Sequence, residues 1–165
     1  IRWGRKTCPS GTKMIYMYRG QIAGKEHRSS GGGTNQQCLP DDPEYNSKAP
    51  NTQYSMLRAT LLHSNDGKTN RRLPCVACET DHRVNQIMIP AKTRCPSSDW
   101  TLEYQGYFMS QAEHNMGDKN HLFYGGNYAT SYICVDAQPE AYTNQYIADN
   151  NGNLRFRHLG KLPFL

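Results

Sequence analysis

The amino-acid sequence predicts an all-β fold with little helix, in one compact domain over residues 1–165 that is stapled by disulfides. Three observations lead to this prediction. Short segments rich in Tyr, Ile, Val and Met alternate with clusters of Gly, Asn, Asp, Ser and Pro, and no long stretch has the 3.6-residue period of an amphipathic helix. The chain also contains six cysteines, while only 36% of its residues are hydrophobic. We expect a sandwich-like or barrel-like body whose thin core is reinforced by crosslinks.

The strand-like segments follow one another along the chain. Residues 13–18 are bounded by glycines and rich in Tyr, Ile and Met, which indicates a strand. Residues 55–62 fit either a short helix or a buried strand. Residues 28–37, with three consecutive glycines, predict a polar loop. The remaining predicted strands are residues 73–80, 84–89, 100–104, 107–109, 131–135 and 154–158.

An internal duplication relates residues 95–142 to residues 8–45. Each copy opens with Lys-Thr just before Cys-Pro-Ser, continues through Tyr-x-Gly and Glu-His, and closes with a second cysteine followed by Pro-Glu. The Glu-His pair lies at the same offset from the first cysteine of each copy. These matches predict two repeats, approximately residues 3–90 and 91–165.

The cysteines indicate an oxidising compartment and therefore a secreted, extracellular protein. The chain begins at Ile1, as a processed mature protein would. Equivalent bonds in equivalent copies would join Cys8 to Cys38 and Cys95 to Cys134, leaving Cys75 with Cys78. For the last pair the alternatives are a redox dithiol or half of a zinc site. Both lack the context they need, namely a following helix or a second paired ligand set.

The charges and motifs disfavour several classes of function. The 19 basic and 14 acidic residues leave a net charge of +5 without a basic cluster interleaved with aromatics, so we expect no nucleic-acid partner. No apolar run is long enough to span a membrane. The six histidines form no His-x-His or His-x-x-x-His pair, and no nucleophile elbow, phosphate loop or calcium loop is present. We expect no enzyme, metal or cofactor, although a glycosidase with two suitably spaced carboxylates stays open.

A binding surface fits the inventory better, because the chain has 11 tyrosines, 14 glycines and many asparagines. Tyr and Asn combine contact area with hydrogen bonding, which suits sugar rings and their hydroxyls. The densest such stretch is residues 113–128, which is longer than its counterpart in the first copy. The candidate carbohydrate-binding residues are Tyr107, His114, Asn115, Asp118, Tyr124 and Asn127, with Asn35 and Asp42 in the first copy.

Several segments also carry a resemblance to a known family. They are Trp3-Gly4-Arg5-Lys6-Thr7-Cys8-Pro9, Tyr18-Arg19-Gly20, Gly31 to Asn35, Cys38 to Pro43, Leu73 to Cys78, Met88 to Ala91, Cys95-Pro96-Ser97 and Tyr132 to Asp136. Together they resemble the noncollagenous domain of sponge short-chain collagens, the spongin or collagen C4-like family, over essentially the whole chain. Free-standing sponge lectins that bind N-acetylated hexosamines look similar.

The resemblance implies a secreted lectin that recognises N-acetylhexosamines (GlcNAc or GalNAc) without metal or catalysis. In that reading Tyr124 stacks on the sugar ring, while Asn127 and Asp118 bond its hydroxyls or acetamide. Binding would depend on a multivalent homo-oligomer, with a trimer favoured, and would agglutinate cells. The alternative is an extracellular-matrix assembly module that makes only protein contacts and binds no sugar.

Overall fold

The computed structural model describes residues 1–10, 14–25, 35–44, 57–62, 71–80, 83, 85–111, 131–142 and 154–158. Within these ranges all regular secondary structure is β-strand, and two disulfides are present. The prediction of an all-β fold with disulfides is therefore confirmed. The strands are β1 (Arg2–Trp3), β2 (Met14–Lys25), β3 (Gln37–Pro40), β4 (Leu57–Leu62), β5 (Arg71–Arg72), β6 (Pro74–Thr80), β7 (Gly106–Gln111), β8 (Ile133–Asp136) and β9 (Leu154–His158).

Most predicted strands are present, and the ambiguous segment at residues 55–62 contributes strand β4. Two predictions are wrong, because neither residues 85–89 nor residues 100–104 form a strand. Their apolar side chains do not enter a sheet interior: Ile87 is 51% exposed and Leu102 is 47% exposed. An apolar run becomes a strand only where a neighbouring strand accepts its backbone hydrogen bonds.

The described strands form one sheet in the order β3-β2-β6-β1-β8-β7-β9-β4-β5. Because β2 also pairs with β4, the neighbours β2, β6, β1, β8, β7, β9 and β4 close on themselves. The short strand β1 pairs antiparallel with β6 and parallel with β8, while β9 runs parallel to β4. The pairings of β1 with β8 and of β4 with β9 are the junctions that connect the strands of the first part of the chain to those of residues 91–165.

The core lies on one side of these strands. Strand alternation places Tyr107 and Met109 of β7 on the same side as Ile133 and Val135 of β8. They pack with the remaining members of one buried cluster, Ile22, Cys38, Leu62, Leu73 and Cys75, against which Trp3 and Tyr18 also lie. Strand β8 is buried at every position.

The disulfide pairing corrects the prediction made from the duplication. Cys8 bonds Cys78, and Cys38 bonds Cys75, with Cα atoms 6.0 and 5.7 Å apart. Cys75 and Cys78 cannot bond each other because both belong to strand β6, where three residues span about 10 Å and place the side chains on opposite faces. The two bonds have sequence separations of 70 and 37 residues. In the chain-entropy model each stabilises the fold by about 4 kcal/mol.

Cys95 and Cys134 are thiols in the structure, the first half-buried and the second buried. The predicted bond between them is therefore absent. The chain, denatured without reduction, is expected to take up one alkylating group at each of these two positions, whereas reduction before alkylation raises the number to six. Peptide mass spectrometry checks both counts. An unreduced chain that takes up no label would instead support the Cys95–Cys134 bond.

The two Tyr-x-Gly motifs make matching contacts. The hydroxyl of Tyr18 donates to the carbonyl oxygen of Cys38 at 3.4 Å, and the hydroxyl of Tyr104 donates to that of Cys134 at 2.9 Å. The backbone carbonyl of Arg19 accepts from the N–H of Asp41 at 3.1 Å. In the same way, the carbonyl of Gln105 accepts from the N–H of Ala137 at 3.0 Å. The duplication stays a prediction, and these shared contacts support it.

The glycines of both motifs allow the neighbouring strand to approach. A Cβ atom at Gly20 would collide with the carbonyl group of Leu39, and one at Gly106 with that of Val135. We expect Gly20→Ala and Gly106→Ala each to lower the free energy of unfolding by at least about 2 kcal/mol, because rigid backbone cannot give way. Urea denaturation measures this loss. As a control, Ala137→Gly changes an exposed residue outside the strands and is expected to cost less; equal losses would contradict the close-approach argument.

Candidate functional site

An open groove of about 1180 Å³ borders the start of β8, where Tyr132, Ile133 and Cys134 line it. Its walls come from the segments before β7 and before β8, from the start of the chain and from the end of β6. Six large apolar or aromatic side chains that line it are exposed: Ile1, Ile87, Met88, Trp100, Leu102 and Tyr132. Isolated exposed apolar residues are ordinary, but a set that shares one concave surface indicates a binding site.

An aromatic pair, Phe108 with Tyr132, lies beside this groove. The two rings stack with centroids 4.8 Å apart and planes 13° from parallel. They meet because Phe108 pairs with Cys134 across β7 and β8, which makes Tyr132 its diagonal neighbour. Tyr132 is 52% exposed. Stacking against Phe108 therefore fixes a ring that still presents much of its surface to solvent.

The residue before β3 is hydrogen-bonded to the residue before Tyr132. The backbone N–H of Gln36 donates to the hydroxyl oxygen of Ser131 at 3.2 Å. Asn35 and Tyr132 are the sequence neighbours of these two residues, and both are exposed. This hydrogen bond brings one candidate from the first copy to the residues that follow the 113–128 stretch of the second.

Three charged residues that line the groove, Arg2, Arg83 and Glu103, take part in ion pairs. The guanidinium of Arg2 donates to the carboxylate of Asp136 at 2.7 Å, in a pair with side chains 15% and 7% exposed. That carboxylate also accepts from the backbone N–H of Gln138 at 2.9 Å. Arg83 pairs with Glu103 at 2.6 Å. These two ion pairs hold structure together, whereas Glu79, Arg94 and Asp99 add exposed charged side chains to the groove.

Burial keeps two acidic protons in place near the groove. Burial first, and then the negative charge of Asp136, raises the pKa of the Cys134 thiol from 9.0 to about 11. Burial, together with the Cys134 and Asp136 charges, raises the pKa of the Tyr104 hydroxyl as well. Since only a thiolate is strongly nucleophilic, Cys134 is a poor nucleophile at neutral pH.

These pKa shifts predict that the folded chain loses stability at alkaline pH. The folded chain keeps the Cys134 proton up to about pH 11, whereas the unfolded chain releases it near pH 9.0. The unfolded state therefore binds fewer protons between these values, and the free energy of unfolding falls as pH rises, by up to roughly 3 kcal/mol. Urea denaturation at pH 8 and pH 10.5 measures the fall. A Cys134→Ala variant whose stability falls just as steeply would contradict the role of this thiol.

The structure describes three of the eight predicted carbohydrate-binding residues. Tyr107 is half-buried and packs against the buried cluster, while Asn35 and Asp42 are exposed. The other five lie outside the described residues: His114, Asn115, Asp118, Tyr124 and Asn127. Sequence reasoning selected Tyr107 and missed its neighbour Phe108, together with Trp100 and Tyr132. The sequence did contain one signal for Phe108: the alternation of residues along Gly106–Gln111 assigns Tyr107 and Phe108 to opposite faces of the strand. That alternation does not say which of the two faces is buried.

Neither a metal centre nor a membrane span is found in the described part of the chain. No group of three His, Cys, Asp or Glu side chains there is placed to hold an ion, and no helix there is long and apolar enough to cross a membrane. In comparisons with known proteins, no family model, curated protein or solved structure matches the chain.

Proposed function

We propose that this chain is a secreted carbohydrate-binding protein that recognises N-acetylhexosamines at the aromatic pair. The exposed ring of Tyr132, held against Phe108 at 4.8 Å, carries the proposal. A sugar binds an aromatic face through its C–H patch, and a ring that is already fixed loses little conformational entropy on binding. Trp100 and Leu102 give the neighbouring groove apolar surface that suits an acetyl methyl group.

Polar groups next to the ring supply hydrogen bonds for the hydroxyls and the acetamide. Asn35 offers two amide donors and a carbonyl acceptor, and it is exposed. The groove itself adds the exposed amides of Asn85 and Gln86. Amides can donate and accept at once, as sugar hydroxyls and an acetamide group do.

Several sites are needed for tight binding by such a shallow surface. A single aromatic contact and a few hydrogen bonds give weak affinity, whereas linked sites raise avidity by roughly 10² to 10⁴. The proposal therefore includes a homo-oligomer, with a trimer favoured. The two disulfides support an extracellular setting, because such bonds persist in oxidising compartments.

Replacing Tyr132 tests the site. Tyr132→Ala is expected to weaken binding of monovalent N-acetylglucosamine or N-acetylgalactosamine about tenfold, since loss of an aromatic contact costs about 1.4 kcal/mol. The matched variant Tyr132→Phe keeps the ring and is expected to bind within a factor of about 2 of the original chain. Titration calorimetry provides the affinities, and a glycan array of the intact protein tests the sugar class. A folded oligomer that binds no glycan, or a Tyr132→Ala variant of unchanged affinity, would refute the proposal.

The second candidate function, a matrix assembly module without sugar binding, is favoured by the apolar side chains of the groove. Ile87, Met88 and Leu102 are 51%, 41% and 47% exposed, and aliphatic surface of this kind suits a protein partner. Cell agglutination separates the candidates. A lectin agglutinates cells and is inhibited by free N-acetylhexosamine, whereas an assembly module shows association that such sugars leave unchanged.

A further inference from the structure

The hydrogen bond between Gln36 and Ser131 limits how far Asn35 can lie from the ring of Tyr132. The backbone N–H of Gln36 and the hydroxyl oxygen of Ser131 are 3.2 Å apart. Asn35 precedes the donor and Tyr132 follows the acceptor. With standard bond lengths on both sides of this hydrogen bond, the Cα atoms of Asn35 and Tyr132 are at most about 12 Å apart. Segments 95 positions apart in the sequence thus bring an exposed amide close to an exposed aromatic ring.

The first of these segments is fixed through the side chain of Gln36. That side chain is 6% exposed, and its Oε1 accepts from the hydroxyl of the fully buried Thr60 at 3.3 Å. A Cβ atom at Gly24 would collide with the same amide group, so strand β2 packs directly against it. Buried and exposed residues alternate from Asn35 to Cys38, which places Asn35 on the solvent side.

The second segment is fixed by its continuation into β8. Ser131 and Tyr132 lead directly into this strand, which is buried at every position. The ring of Tyr132 stacks on Phe108, with centroids 4.8 Å apart. The amide and the ring are therefore both attached to anchored backbone, as a selective site requires.

We propose that Asn35 binds the acetamide group of the sugar whose ring stacks on Tyr132, and that Ser131 is the positioning residue that sets the spacing between them. This inference rests on the proposed function and assigns its selectivity for acetylated sugars to one side chain. An acetamide has one N–H and one C=O, and the amide of Asn35 can accept from the first and donate to the second. A hexose without the acetamide offers a single hydroxyl there and loses one of these hydrogen bonds.

The site assigned in this way is complete within one chain. The hydrogen bond from Gln36 to Ser131 joins two segments of the same chain, and so do the contacts that hold each segment. Association of chains then increases avidity by repeating the site. It supplies no residue to the site.

The preference for N-acetylglucosamine over glucose, measured by NMR titration of each variant, tests the assignment. Asn35→Ala is expected to lower this preference about fivefold, since a hydrogen bond contributes about 1 kcal/mol. Ser131→Ala is expected to lower it about threefold, and Ser131→Thr, which keeps the hydroxyl, to restore it. A variant that merely lost stability would bind both sugars less and keep the ratio. As a control, Ser10→Ala removes the hydroxyl of an exposed serine that does not line the groove, and the ratio should not change.

Co-expression of the Asn35→Ala chain with the Tyr132→Ala chain tests whether one chain holds the whole site. A site shared between chains would be restored in mixed oligomers, whereas a site within one chain is expected to show no recovery. Recovery of wild-type affinity would overturn the proposal. So would a sugar preference that Asn35→Ala or Ser131→Ala leaves unchanged while Tyr132→Ala still weakens binding. A chain that binds no sugar at all would overturn the proposed function together with this inference.

Discussion

Strand β6 is the element on which the rest of the structure depends. Both disulfides end in it, at Cys75 and Cys78, and its first four residues are buried. It pairs with β2 on one side and with β1 on the other, so it stands between β2 and the contact that β1 makes with β8. With little hydrophobic sequence available, two crosslinks that end in one buried strand hold together a core that burial alone would leave marginal.

The junction itself is short and highly bonded. Only two residues form β1, yet its continuation at Gly4 donates to the carbonyl of Pro74 at 2.8 Å and accepts from the N–H of Glu140 at 2.7 Å. Gly4 has φ 85°, and a Cβ there would meet the Val135 side chain at 2.9 Å, so glycine is required twice over. The largely buried ion pair between Arg2 and Asp136 is also part of this junction. Removing either partner would leave the charge of the other buried and uncompensated. The pair therefore favours this one arrangement of the junction.

Local pattern predicted the strands well and their partners poorly. Alternation and turn residues located β2, β6, β7, β8 and β9, because these signals act within a few residues. The disulfide pairing failed because the duplication equates cysteines between copies without showing that Cys75 and Cys78 belong to one strand. The choice of Tyr107 as a sugar contact rested on residue type, whereas the adjacent Phe108 stacks on Tyr132, which lines the groove. Which face of a strand is buried depends on its neighbours in space, and a single sequence does not contain that information.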